Sequence, residues 1–307
     1  MKAVTSDFCE RPHLRLRKGL ARYCRIDSGR YSRSDRMRAM LAIRAVTISL
    51  ALSFSGWLPA LAGPPFQTDD PEPVDYQHFE AYVFSTYDGT KIGSASQGPA
   101  FEMNWGVVPD VQLHLVVPAS GFIPKEGPGA FGIGDTELGV KLRFIHETKH
   151  RPEFGIFPFA ELPTGSASAG LGNGRTWYRL PLWVQKSVGP WTTYGGGGEV
   201  LNWAPGMRNY PFGGWLLQRD LGKKWTLGTE IFAHGAEGEA ALSTESSALV
   251  DFGGYYYIRK PGFQVLFLAG HSVAGQPETI AYLGLYWTWG AEKGGSQQGF
   301  LRPPKFR

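Results

Sequence analysis

The side chains of this sequence that could do chemistry stand on alternate positions of apolar stretches. In Gly134–Glu147, Glu137, Lys141 and Arg143 alternate with Leu138, Val140, Leu142 and Phe144. In the stretch that follows, Glu153, Phe157, Phe159 and Glu161 share one face, and Arg179, Glu199 and Glu230 take equivalent places further on, with Glu80, Glu102 and Asp251. A period of two puts the two sets on opposite faces of a strand. Charges of both signs on one face suit either an internal ion-pair network that fills the space they enclose, or a constriction with a cationic and an acidic side across a water path. Phe157 and Phe159 on that face suit either an apolar ligand path or plugging by bulky rings.

Catalytic chemistry is harder to assemble. The histidines after residue 62 are His78, His114, His146, His150, His234 and His271. His271 precedes Ser272, but neighbours on a strand point to opposite faces and cannot act together. His114 and His234 are inward candidates without an identifiable serine and acid. No catalytic residue, cofactor-binding residue or metal ligand is assigned, and no cofactor, phosphate loop or nucleic-acid surface is expected.

The elements that must carry these residues follow a targeting sequence. Arg38 and Arg44 precede the apolar run Ala45–Leu58, which ends in Pro59 and the small-residue site Ala60-Leu61-Ala62. That run is short for a membrane helix of about 20 residues, and its flanks suit cleavage. Residues 37–62 therefore read as a signal peptide, and residues 1–36, which hold both cysteines, as a start-site artefact or a disordered basic extension. Beyond Ala62 the balance is 19 Lys and Arg against 23 Asp and Glu, so the basic character of the chain lies in the leader. With no cysteine there, the exported part uses neither disulfide nor thiolate chemistry.

Residues 63–76 are too rich in proline for a sheet interior and read as an irregular periplasmic lead-in, and the sequence leaves open whether Thr68 to Glu72 folds into the barrel as a small stopper. Twelve strand-like stretches follow, near 77–87, 99–107, 111–118, 134–147, 153–163, 176–187, 191–203, 211–220, 225–235, 245–258, 263–272 and 278–289. Tight links after the even stretches, such as Val108-Pro109-Asp110 and Val188-Gly189-Pro190, contrast with looser ones after most odd stretches, such as 88–98 and 119–133. That contrast, with an even count, predicts an all-β fold: a transmembrane antiparallel up-and-down β-barrel of about twelve strands over 77–290, its short turns periplasmic, with a periplasmic tail at 291–307.

Energetics choose the faces. A Lys or Arg against lipid near the midplane costs about 2–4 kcal/mol, so Lys141 and Arg143 must face the lumen. The same phase turns Phe101, Met103 and Trp105, Leu113 and Leu115, and Leu283, Leu285, Trp287 and Trp289 to lipid. Trp177, Tyr178, Trp191, Trp203, Trp225 and Tyr286 to Trp289 cluster at strand ends, as an interfacial aromatic girdle would.

Two resemblances add to this. Tyr282, Gly284, Trp287 and Trp289 resemble the C-terminal signal that bacterial barrel-assembly machinery recognises, although residues 290–307 follow it. Thr68-Asp-Asp-Pro71, Gly132-Ile-Gly-Asp135, Pro152-Glu-Phe154 and Glu161-Leu-Pro-Thr-Gly165 resemble the meta-pathway phenol-degradation family of outer-membrane transporters, across most of 63–290. The resemblance implies a barrel in the bacterial outer membrane, set in lipid and lipopolysaccharide, that passes small molecules, aromatic or hydrophobic ones among them. The whole reading is thus a non-enzymatic channel working by passive diffusion, with a filled structural barrel or an outer-membrane lipid hydrolase as alternatives. Its substrate path or constriction is expected at Glu137, Lys141, Arg143, Phe157, Phe159, Glu161, Arg179, Glu199 and Glu230, with selectivity set near the three cations and Glu161.

Overall fold

A computed structural model describes residues 64–238, 245–259 and 262–290. The leader, the signal peptide and the tail at 291–307 lie outside the described residues. The strands are β1 (His78–Gly89), β2 (Gly93–Val108), β3 (Val111–Pro124), β4 (Ala130–Ile133), β5 (Thr136–Ile145), β6 (Glu153–Ile156), β7 (Phe159–Leu162), β8 (Trp177–Val188), β9 (Trp191–Leu201), β10 (Tyr210–Leu221), β11 (Trp225–His234), β12 (Ser247–Arg259), β13 (Phe263–Gly275) and β14 (Thr279–Gly290).

Each pairs antiparallel with its neighbours, and β1 pairs with β14 from His78 opposite Gly290 to Gly89 opposite Thr279, so the sheet closes on itself. Two staves are broken: β4 and β5 both pair with β3, and β6 and β7 both pair with β5 and β8. The closed wall therefore has twelve staves, as the alternation predicts. Pro158 explains the second break, since it has no amide to donate to the ladder, while its carbonyl still accepts the Val140 amide at 3.0 Å.

The faces follow the charge argument. Leu138, Val140, Leu142 and Phe144 are exposed on the outer surface while Lys141 is buried inside. Phe101, Leu182, Ile231, Phe252 and Leu283 continue the apolar exterior around the wall. No helix among the described residues is long and apolar enough to cross a membrane, so the crossing is made by strands. An apolar belt around a closed wall with buried polar groups inside places the protein in the bacterial outer membrane.

Three expectations need correcting. The strands extend beyond the predicted stretches: β1 and β2 are joined through residues 90–92 rather than 88–98, and β3 runs to Pro124 and folds back through β4. The aromatic girdle holds at Tyr178, Trp191, Trp203, Trp225 and Trp289, all exposed, but Tyr286 is buried and donates to Glu80 at 2.6 Å inside the wall. The lead-in is the third, and it changes the lumen.

Candidate functional site

Residues 64–75 run through the lumen, so they are not a periplasmic lead-in. Thr68 and Asp70 are almost fully buried, and the segment crosses from the β3–β6 wall to the β10–β12 wall. At its C-terminal end the Val74 amide donates to Gln112 at 2.9 Å. At its other end the amides of Gln67 and Thr68 donate to the Glu230 carboxylate at 2.9 and 2.5 Å, and the Phe66 ring packs edge-on to Tyr255. Proline suits such a strut, because its missing amides would otherwise need partners away from any ladder. The wall makes room with glycine: a methyl group at Gly106 would overlap the Asp75 carbonyl, and one at Gly214 the Thr68 hydroxyl.

Charge locks the middle of the strut. Lys141 donates to Asp69 at 2.9 Å and lies 3.4 Å from Asp70. Asp69, the nearer of the two, is the main countercharge of the ammonium. Arg143 lies nearer the short-turn end, where its guanidinium meets Asp110 at 2.7 Å, Glu153 at 3.4 Å and Glu72 at 3.6 Å. A second chain joins Glu102, Asn104, His114 and Glu137: Asn104 donates to Glu102 at 2.8 Å, and the two His114 ring nitrogens lie 2.7 Å from Asn104 and Glu137.

The sequence-predicted residues therefore separate into two levels. Lys141, Arg143 and Glu230 brace the strut. Glu137, Phe157, Phe159, Glu161 and Arg179 line a cavity of about 530 Å³ that lies beyond it, with Pro64, Pro65 and Phe66 in its lining. Phe157 is buried edge-on to His114 with Lys141 5.0 Å from its ring, and Phe159 packs against Trp177. Glu199 is a correction: it pairs with outward-facing Leu180 and is exposed, so it stands on the outer face near the loop end of β9.

Arg179 differs from the other two lumen cations. Its guanidinium lies 4.0 Å from the Phe212 ring and 5.8 Å from those of Phe159 and Phe232, and it forms no ion pair or hydrogen bond with the described residues. His234 and Ser247 face one another across β11 and β12 with Glu278 close by, but the imidazole nitrogens go to Gly235 carbonyl at 2.9 Å and Glu278 at 3.3 Å. Neither nitrogen is turned to Ser247 as a base, which is not the arrangement that activates a serine.

The strut is what the sequence left undecided, since a proline-rich stretch with no strand to join could stay outside the barrel or fold into it. A signal existed in charge bookkeeping: Lys141 and Arg143 must face inward and need carboxylates, and Asp69, Asp70 and Glu72 stand in the one segment with no strand to join.

The sequence matches no protein-family model and no curated protein sequence. Among solved structures, the COG4313 outer membrane channel from Pseudomonas putida F1 is similar with a TM-score of 0.59 at 12% identity, over 75% of this chain and 100% of that one. The translocator domain of autotransporter NalP from Neisseria meningitidis gives 0.43 at 12% identity, over 83% and 96% of the two chains, and the KdgM porin 0.45 at 11%, over 68% and 99%. The first likeness is one of fold: the chain is a closed β-barrel of the kind found in the outer membrane.

Proposed function

We propose that the protein is an outer-membrane channel that admits small molecules, aromatic and hydrophobic ones among them, by passive diffusion past an internal constriction made by residues 64–75. The observation that carries this reading is the lumen itself: a cavity of about 530 Å³, lined by both aromatic and charged side chains, beyond a single strut. A barrel built only for structure fills its interior with side chains. Here buried inward groups such as the Gln185 and Gln264 amide oxygens have no hydrogen-bond partner among the described residues, which suits a hydrated interior. The path runs along Glu137, Phe157, Phe159, Glu161 and Arg179, then past the strut braced by Lys141, Arg143 and Glu230. This agrees with the transport role implied by the resemblance to the meta-pathway phenol-degradation barrels. Assembly would use Tyr282, Gly284, Trp287 and Trp289, of which Trp287 and Trp289 lie on the outer side of β14 and Tyr282 on the inner side, stacked on Phe84.

The test is solute flux into liposomes carrying the refolded barrel. Uptake of small aromatic solutes above that of empty liposomes, proportional to their gradient and without saturation at low concentration, is the expected result. Flux equal to empty liposomes, from protein shown by circular dichroism to be folded, would refute the channel.

A further inference from the structure

The cavity beyond the strut holds a cation whose charge the protein does not answer. Four of the acids that share its lining are held by partners of their own, and neither of the other two, Asp88 and Glu161, forms an ion pair with Arg179. Asp69 is held by Lys141, Glu102 by Asn104 and Glu137 by His114, while Asp135 accepts the amides of Gly165 and Asn173 at 2.8 and 2.6 Å. Arg179, in contrast, packs against carbon: Phe212 lies under its guanidinium, with Phe159 and Phe232 at the flanks. Stacking occupies a face of the guanidinium plane and leaves the N–H edge, which is the part that grips a carboxylate with two parallel hydrogen bonds. A charge kept in so apolar a setting gains most from an anion brought into the same setting.

We infer that Arg179 with Phe159, Phe212 and Phe232 forms a binding subsite for small aromatic monocarboxylates, on the route that the proposed channel function requires. The carboxylate takes the guanidinium edge, and the ligand ring packs against Phe159, which lines the cavity beside Arg179, while Phe212 and Phe232 back the guanidinium from within the wall. The ligand's charge is limited to one, because Glu161 shares this stretch of wall: its strand partner Trp177 lies two residues from Arg179, and the carboxylate forms no ion pair with it. The inference deepens the proposed function and rests on the lumen being accessible from solution.

The test uses the full exported barrel in detergent, with benzoate as the probe, benzyl alcohol as its uncharged counterpart and phthalate as the dianion, read by calorimetry. Benzoate is expected to bind saturably and more tightly than either comparison ligand. Arg179→Gln should weaken benzoate by about tenfold to a hundredfold, the range for losing a charge-assisted hydrogen bond pair, and leave benzyl alcohol unchanged. Arg179→Lys, which keeps the charge but not the fork, should fall between them. Equal affinity for benzoate and benzyl alcohol, or an Arg179→Gln barrel of native circular dichroism that binds benzoate as the wild type does, overturns the inference. Liposome flux measured on the same proteins separates the two claims: flux without selective benzoate binding retains the channel and removes the subsite.

Discussion

Lys141 decides the phase of its strand and also the state of the lumen. Its ammonium could not face lipid, and once inside it required a countercharge; Glu137 on its own strand is taken by His114, and Asp69 and Asp70 supply it from 71 or more residues away. Removing one partner of a buried pair costs about 3–5 kcal/mol, because the other charge is left desolvated. In Lys141→Met that loss falls on the docked segment, since the staves close without it. A cysteine placed at the buried position 68 (Thr68→Cys) reports it cleanly in a protein spanning 63–307, because those residues hold no other. It is predicted to react with a maleimide at least about tenfold faster in the Lys141→Met background. Equal rates would mean that the ion pairs do not hold the segment.

At the scale of elements, the staves and the strut were unequally legible. The staves could be read because lipid on one side and charge on the other impose a period of two, which is sharp where Leu138 to Phe144 or Phe101 to Trp105 alternate. Where apolar side chains are missing, the period is missing too. Gly195 to Gly198 carry no phase, so Glu199 beyond them was placed on the wrong face, and Ser94 to Gln97, whose one apolar side chain is the methyl of Ala95, read as loop although they pair with Thr86 to Gly89. The strut has no period at all; its position is set by distant partners, Lys141, Gln112 and Glu230, which local sequence cannot show. Its fit depends equally on the absence of a side chain at Gly214, beside the Thr68 hydroxyl. Gly214→Leu is predicted to expel the Thr68 end and to displace the Phe232 ring, which the new Cβ would meet at 2.8 Å, while the backbone ladder of β10 with β9 and β11 is kept. Liposome flux of small solutes should rise several-fold, with the β-sheet circular dichroism of the barrel retained; unchanged flux would mean that the strut does not limit the passage.

For the whole molecule, two levels of the lumen divide the work. The cavity beyond the strut, with Phe157, Phe159, Glu161 and Arg179, meets a solute first if the loops face outward, as the short turns at Asp110 and Gly189 require. In the proposed channel the strut, braced by Lys141, Arg143 and Glu230, then narrows the passage. The claim on which everything else depends is that water runs through this barrel and that residues 64–75 narrow it. Single-channel recording in a planar bilayer tests it directly, on the refolded protein spanning 63–307 beside one lacking residues 64–74. The account predicts discrete, small conductance steps in the first and steps several-fold larger in the second. Silence from both proteins, each folded by circular dichroism, would contradict it and return the barrel to a filled structural one.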